Sequence, residues 1–573
     1  MRYLALAFDY DGTLAHDGRV APKTIDALKK AIKAGRKLLL VTGRELGDLV
    51  TIFGDHLVLF DRVVAENGAL LYRPISKEQL ELTVPPEQAL VKALAAKGVE
   101  PLSVGQSIIA TTTPHETTVI ETIKELGLEL QVTFNKGAVM ILPSAVNKAT
   151  GLLVALNELG LSPHNVAGIG DGENDHAFLS SCECSFAVAN AIPTLRERAD
   201  MVTDENDGAG VIQLIEQVLA DDLAELDQRL IRHQLPLGIN TRNKEVAISP
   251  YGTNVLIAGP SGSGKSTYAT GFIERVHERG YQFCIIDPEG DYENFEGAVV
   301  LGDNKNAPPE SEVMRLLENP RQNVVVNLVG MKLEDRPKLF ASLLARLQEM
   351  RLRTGRPHWL IIDEAHHLMP AAWEPALEEI TNQAHGMLFI TVHPDWMSPG
   401  VLASVDVMIA VGKMPAQTLK GFSTGLRQHA LRSYPRWKDG EVIAWLWKQH
   451  KPPLKLRIIP NHTERLRHRR KYAEGDLGEN MSFYFRGPRK ALSRRAQNLI
   501  QFMQLGEGVD KDTWDFHLHR GDYTTWFRDV IKNPDLADEA EQVAKNKSLP
   551  AKESRAKIRT AIENRYTMPE RPV

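Results

Sequence analysis

The chain is poor in several things that would have fixed its class at once. Only three cysteines, Cys182, Cys184 and Cys284, occur in 573 residues. That is too few for a disulfide framework or a four-ligand zinc pattern, and it favours a reducing compartment with structural thiols. No run of about 18 apolar residues occurs, so no membrane-spanning helix is expected. The opening "MRYLALAFDYDG" is broken by acidic residues too early to read as a secretory signal, which places the protein in the cytoplasm. There is also no excess of charge. Sixty-eight Lys and Arg face 73 Asp and Glu, a net charge of −5, so binding to a polyanion would have to be local. Aromatics are 6% of residues, and no internal repeat or low-complexity tract is evident.

What is present is length and punctuation. A chain of 573 residues exceeds what one core serves, so several domains are expected. "RYLALAF" reads as a buried strand that runs into Asp9 and Asp11, at the carboxyl end where open α/β sheets bind ligands. Residues two apart on an extended chain point the same way, so both carboxylates can face one site. Alone, the Asp-Gly pair is equally a common turn. "KLLLVTGR" at 37–44 is a second strand, ending in Thr42, and Lys148 opens a helical pattern. "VAGIGDGENDHAF" at 166–178 ends a third strand in Asp171, Asn174 and Asp175. Two carboxylates, a hydroxyl, a lysine and a late acidic cluster are the parts needed for phosphoryl transfer through an aspartyl-phosphate.

DxDGT, TGR, Lys and GDGxND in this order, with "AENGALLY" at 65–72 and "NKATGLLVALNELGL" at 147–161, resemble the Cof-type haloacid dehalogenase (HAD) phosphatases over about residues 1–215. The resemblance implies a Rossmann-like core and an α/β cap over about 72–147 that covers the site and selects small phosphate esters. It implies Asp9 as nucleophile, Asp11 as acid and base, and Thr42 with Lys148 holding the phosphoryl group. Mg²⁺ would be bound by Asp9, the Asp11 backbone carbonyl and Asp171, with Asn174 and Asp175 in support. Arg44 reads either as a substrate contact or as a surface ion pair.

Residues 216–239 carry helical spacing and heavy charge and read as a connecting helix and linker before an ATPase domain at 240–460. "GPSGSGKST" fits GxxxxGK[ST] between a strand and a helix. Gly259, Gly262 and Gly264 would turn backbone N–H groups toward ATP phosphates, Lys265 would reach the outer ones, and Ser266, beside Thr267, would meet Mg²⁺. "HWLIIDEAHHL" at 358–368 is a strand ending in Asp363, for the metal's water shell, and Glu364, to direct an attacking water. "FCIIDPEGDYENF", "DEAHHLMP" and "GMLFITVHP" resemble the HerA/FtsK-type ATPases, which implies a RecA-like fold, ATP held between subunits, and a homo-oligomeric ring, a hexamer by preference. His393 stands where those proteins carry a polar sensor. Arg427, Arg432 and Arg436 are arginine-finger candidates, set against the commoner reading of each as a plain surface residue.

Beyond 461 comes a basic stretch and a small, mostly helical module. Basic runs at 462–471 and 486–495 suit nucleic-acid phosphates or solvated faces. Trp514, Phe516, Trp526 and Phe527 have the spacing of a small core, and His517 with His519 are too few for a metal site. The chain thus reads as an α/β multidomain enzyme, a Mg²⁺-dependent phosphatase of small phosphorylated substrates joined to an ATPase, with nucleic acid as a further partner. Two other readings stay open: a nucleic-acid end-processing 3′-phosphatase/5′-kinase, and a phosphatase regulated by a nucleotide-sensing assembly domain.

Overall fold

The computed structural model describes residues 1–226, 229–261, 263–303, 305–371, 385–427, 435–438, 440–449, 451–461, 482–488, 493–531 and 533–566. The chain divides into two compact units, Met1–Ile459 and Pro460–Val573. No described helix is long and apolar enough to cross a membrane.

The larger unit contains two α/β sheets. The first has eight strands in the order Met201–Val202, Cys184–Ala187, Val166–Gly170, Ala5–Phe8, Lys37–Val41, Arg62–Ala65, Leu70–Arg73 and Glu78–Glu81. The first six run parallel and the last two antiparallel. Strand Ala5–Phe8 is wholly buried and lies between Lys37–Val41 and Val166–Gly170, which explains its unbroken apolar run. A separate antiparallel sheet, ordered Ser103–Val104, Ile109–Thr112, Ala138–Pro143 and Leu130–Asn135, forms the cap with helices Gln88–Ala96 and Glu116–Glu125. The cap therefore begins later than position 72. Leu70–Arg73 and Glu78–Glu81 extend the core sheet, because Tyr72 pairs with both Val63 and Gln79.

The region expected as a connecting helix also differs. Helix Asp207–Asp221 packs its apolar face into the first core and stops where Asp222 and Leu223 turn left-handed. Strand Leu235–Asn240 already belongs to the second sheet. Among the described residues of 216–234 the α-helix ends at Asp221 and is followed by the short turn Ala224–Leu226, so they do not form one continuous connecting helix.

The second sheet has eleven strands, ordered Glu245–Ile248, Leu235–Asn240, Leu454–Arg457, Glu441–Trp445, Val407–Ala410, Val255–Ala258, Met387–Thr391, Trp359–Ile362, Phe283–Asp287, Val324–Asn327 and Val299–Leu301. Strands from Val407–Ala410 to Val299–Leu301 run parallel, and all but the edge strand Val299–Leu301 are buried on both faces. The two sheets touch through polar groups. Arg356, 1% exposed, donates to the Gly160 carbonyl at 3.0 and 2.6 Å and to Gln282 Oε1 at 2.7 Å. Glu183 accepts from the Tyr281 hydroxyl at 2.8 Å and pairs with Arg2.

In the smaller unit, strands Phe483–Phe485 and Arg494–Ala496 pair antiparallel beside helices from Leu499–Gly508 to Ala551–Tyr566. Trp514, Trp526 and Phe527 are buried with Phe502 and Tyr523. Phe516 is only half-buried, under the Arg520 guanidinium at 4.9 Å. His517 is held between Asp522 at 2.7 Å and the Arg486 backbone N–H at 3.0 Å. The basic run 462–471 lies outside the described residues, as do 489–492 of the second run.

Arg356→Ala would strip donors from carbonyls of both sheets at a buried point. It should lower the unfolding free energy by about 2–4 kcal/mol. Urea unfolding reads this directly, and an unchanged midpoint would show that Arg356 does not tie the sheets.

Candidate active sites

The first site lies at the carboxyl ends of the first sheet. Asp9 follows strand Ala5–Phe8, and its backbone N–H donates to Ile169 at 3.0 Å. Asn147 caps helix Lys148–Glu158 by accepting from the Ala149 and Thr150 N–H groups at 2.9 and 3.1 Å. Two glycines let that helix end approach. A Cβ on Gly68 would stand 2.0 Å from the Asn147 carbonyl, and one on Gly151 would stand 2.5 Å from Val64. Lys148 is thereby sunk to 1% exposure, its Nζ 2.5 Å from Asp9 Oδ1 and 2.6 Å from Asp175 Oδ1.

Asp171 follows strand Val166–Gly170, and Asp175 Oδ2 accepts the Asp171 and Gly172 N–H groups, both at 2.8 Å. Oxygens of Asp9, Asp171 and Asp175 all lie within 4.8 Å of one another. Gly12, at φ +75°, leaves room for this, since a Cβ there would stand 2.2 Å from Asp171 Oδ2. Thr42 is fully buried, and its Oγ1 accepts the Arg44 N–H at 3.1 Å. Asn174 donates to Asn67 Oδ1 at 2.8 Å, while its own Oδ1 is buried without a partner among the described residues.

Burial raises Asp9 well above the usual carboxylate range, the Asp175 charge adds to this, and Lys148 opposes both. Burial also raises Asp171, with Asp175 adding and Lys136 opposing. For Lys148 burial works against the ammonium, but Asp175 and Asp9 outweigh it and raise its pKa. Three carboxylates against two lysines leave a deficit of positive charge, and an all-oxygen donor set of this kind fits a hard divalent cation.

Asp11 stands apart from this cluster. Its side chain is 40% exposed and is gripped by Arg44, with Nε and a terminal nitrogen each 2.6 Å from a carboxylate oxygen. The sequence reading missed Lys136, on the cap hairpin between Leu130–Asn135 and Ala138–Pro143. Its ammonium pairs with Asp171 and its N–H donates to Glu173 at 3.0 Å. Only the turn-like "NKG" could have marked it. A cavity of about 800 Å³ beside Asp11 is lined by Arg19, Arg44, Lys136 and Asn190.

The second site lies at the carboxyl ends of the second sheet. Gly259 needs its missing Cβ, which would stand 2.4 Å from the Val411 carbonyl, and Gly264 adopts φ +87° before helix Lys265–Glu278. Gly262 lies outside the described residues. Thr267 sits in the first turn of the helix. Lys265 Nζ is 3.4 Å from Glu364 Oε1, and Ser266 donates to Asp291 at 3.2 Å. Asp363 follows strand Trp359–Ile362 at 2% exposure, and its Oδ1 has no partner among the described residues. Burial, with Glu364 next to it, pushes Asp363 up to about 7. Glu364 is left-handed at φ 42°. Ser266 and the unpartnered Asp363 oxygen suit a hydrated cation beside a nucleotide.

Strand Met387–Thr391 separates the strands carrying Gly259 and Asp363. Its Thr391 hydroxyl meets His366 Nδ1 at 3.0 Å, and His366 lies 3.3 Å from Glu364. His393 is stacked on Trp396 at 3.9 Å. Arg427 and Arg436 are exposed, and Arg432 lies outside the described residues. Asp287, Asp291 and His366 were not singled out as site residues from the sequence, although "DPEGD" and "DEAHH" contain them.

These features define two phosphate-handling α/β domains. Residues 6–116 and 99–215 match the haloacid dehalogenase-like hydrolase family, and 251–394 match an AAA domain family. The protein is thus an enzyme, a hydrolase with a HAD-like domain at its N-terminus and a P-loop ATPase-type domain after it.

The chain is similar to the phosphoglycolate phosphatase of Methanothermobacter thermautotrophicus, 29% identical over 231 residues, covering 38% of this chain and 98% of that protein. The phosphoglycolate phosphatase of Methanobrevibacter smithii is 29% identical over 231 residues, covering 37% and 97% respectively. A HAD/COF-like hydrolase structure from Plasmodium vivax aligns at 22% identity and TM-score 0.35, over 38% of this chain and 96% of its own.

A carboxyl titrating at about 7 when folded, against about 3.9 when unfolded, weakens the fold most above pH 7 and progressively less as pH falls toward the unfolded value. Asp363→Asn should therefore stabilise the metal- and nucleotide-free protein more at pH 8 than at pH 5, by about 2 kcal/mol. Denaturant titrations in EDTA at the two pH values check this. An equal effect at both would remove the buried, uncompensated carboxylate.

Proposed function

We propose that the protein hydrolyses small phosphate monoesters at Asp9 with Mg²⁺, and binds and hydrolyses ATP at its P-loop. The observation that carries the first part is the buried Lys148 ammonium between Asp9 and Asp175, which aims a carboxylate oxygen and a fixed positive charge at one point. Asp9, Asp171 and the Asp11 backbone carbonyl would hold Mg²⁺, with Asn174 and Asp175 bracing them. The bound ion would offset repulsion between nucleophile and phosphate.

Asp9 attacks phosphorus, and the departing alcohol takes a proton from Asp11. Water then attacks the aspartyl-phosphate, Asp11 accepts its proton, and phosphate leaves. Thr42 and Lys148 hold the phosphoryl oxygens throughout. Asp11 must leave the Arg44 fork for this, which frees Arg44 for substrate. Arg19, Arg44 and Lys136 around the cavity suit an ester with a second anionic group, as phosphoglycolate has. The cap suits such small molecules better than a DNA end.

At the second site Gly259, Gly262 and Gly264 cradle the phosphates of ATP, and Lys265 reaches the outer ones. Ser266, beside Thr267, and Asp363 would hold Mg²⁺, which would offset the charge of the phosphates, and Glu364 would direct the attacking water. A glutamate placed for water favours hydrolysis over transfer to a nucleic-acid hydroxyl. By its HerA/FtsK-like motifs, this part works in a homo-oligomeric ring, a hexamer, with an arginine such as Arg427 or Arg436 supplied by a neighbour and nucleic acid as its partner.

Asp9→Asn should abolish phosphate release from small phosphate esters and leave ATP hydrolysis intact. Equal loss of both in a folded variant would defeat the two-site reading. Glu364→Gln should bind ATP but turn it over at least about 100-fold more slowly, whereas Lys265→Ala should weaken binding itself. Wild-type turnover by Glu364→Gln would exclude the hydrolytic role. Mass photometry with ATP and Mg²⁺ tests the ring: a monomer whose specific ATPase activity does not depend on concentration excludes a shared site.

A further inference from the structure

A second group of metal-ligating side chains lies away from both phosphate sites, where the two sheets meet. His164 Nδ1 is 2.7 Å from Glu183 Oε2, and His233 completes a trio whose ligand atoms lie within 4.8 Å of one another. His164 and Glu183 precede strands Val166–Gly170 and Cys184–Ala187 of the first sheet, and His233 precedes strand Leu235–Asn240 of the second.

The hydrogen bonding fixes what each atom offers. His164 Nε2 donates to the Arg279 carbonyl at 2.8 Å, so in a neutral ring Nδ1 carries a lone pair, and it faces a carboxylate. The His233 ring is held through a hydrogen bond with the Cys182 backbone, while its Nε2 is buried without a partner among the described residues. Three lone-pair-bearing atoms thus converge, and the only donor that reaches any of them among the described residues is the Tyr281 hydroxyl on Glu183 Oε2. An extra proton on His164 would satisfy the His164–Glu183 pair and still leave His233 Nε2 unpartnered. A divalent cation satisfies all three.

We propose that His164, Glu183 and His233 bind one divalent transition-metal ion, Zn²⁺ by ligand type, which clasps the two sheets together. Two imidazoles and a carboxylate are a zinc donor set. Outer contacts of the expected kind are in place: the Arg279 carbonyl orients His164, the Cys182 backbone orients His233, and the Tyr281 hydroxyl holds Glu183 at 2.8 Å. Arg2 pairs with Glu183 Oε1, while Oε2 faces His164 and accepts the Tyr281 hydroxyl, which leaves it a further lone pair for the ion. Bonds of about 2.0–2.2 Å require the closest pair to open and the farthest to close, adjustments within reach of side-chain torsions. A cavity of about 200 Å³ touching His164 and Glu183 has room for a water as fourth ligand.

The test uses full-length protein without a histidine tag, stripped with EDTA and titrated with Zn²⁺ in excess Mg²⁺ to keep the all-oxygen site occupied. Wild type should bind one more equivalent of Zn²⁺ than His233→Ala, and Zn²⁺ should raise the unfolding midpoint of wild type only. Co²⁺ in its place should give intense visible bands of a nitrogen-ligated tetrahedral site. Equal stoichiometry in the two proteins overturns the proposal. So does wild type that binds no Zn²⁺, which leaves a proton as the shared cation. If His233→Ala does not fold, His233→Gln replaces it, and the Co²⁺ spectrum of wild type decides alone: weak, octahedral-type bands overturn the site.

Discussion

The first domain is arranged around one buried ammonium. Lys148 is 1% exposed and rests between Asp9 and Asp175, which are themselves out of solvent. A charge taken out of water this far is tolerable only if its partners arrive with it, since removing either leaves an uncompensated ion. Three parts of the chain must therefore meet at one point: the end of strand Ala5–Phe8, the turn after Val166–Gly170, and the first residue of helix Lys148–Glu158. Adjacent parallel strands bring the first two together. Gly68 and Gly151, by lacking side chains, let the helix come close enough for the third.

Both sheets divide labour along their strands in the same way. Asp9, Asp171, Asp287 and Asp363 lie at carboxyl ends, where buried parallel strands release polar residues into a crevice. Gly160, His164, Glu183, Tyr281 and Arg356 lie before the strands they lead into, and these residues join the two sheets. The Gly160 carbonyl accepts from Arg356, the Arg279 carbonyl from His164 and the Glu183 carboxylate from Tyr281, each across the joint, as burial requires. The joint and the chemistry thus occupy opposite ends of the same strands, so the contact between domains leaves both crevices free.

The P-loop site keeps polar groups that a structure selected only for stability would not. Asp363 is buried beside Glu364, each with an oxygen that lacks a hydrogen-bond partner among the described residues, and Glu364 is held in a left-handed conformation. Such features concentrate where a ligand completes the site. Asp287 shows the contrast. Its carboxylate accepts N–H groups of Gly290 and Tyr292 at 2.8 and 2.9 Å, so it shapes the turn that presents Asp291 to Ser266.

Much of this was legible in the chain itself. Buried parallel strands need unbroken apolar runs, and an acidic or hydroxyl residue ending such a run is local information, so Asp9, Thr42, Asp171 and Asp363 could be placed at strand ends without coordinates. The glycine-lysine loop is legible as a pattern, and at Gly264 the left-handed backbone before the helix is a local demand for glycine. Tertiary structure alone decided what meets what. Lys136 reaches Asp171 only because the cap hairpin folds back over the core, and Asp11 turns to Arg44 because an adjacent strand end presents a guanidinium. The helix at 207–221 belongs to the first core rather than to a linker because its apolar face finds a partner there. His164, Glu183 and His233 are unremarked singly, since their meaning is a distance, and distances between remote residues are set by packing rather than by spacing along the chain.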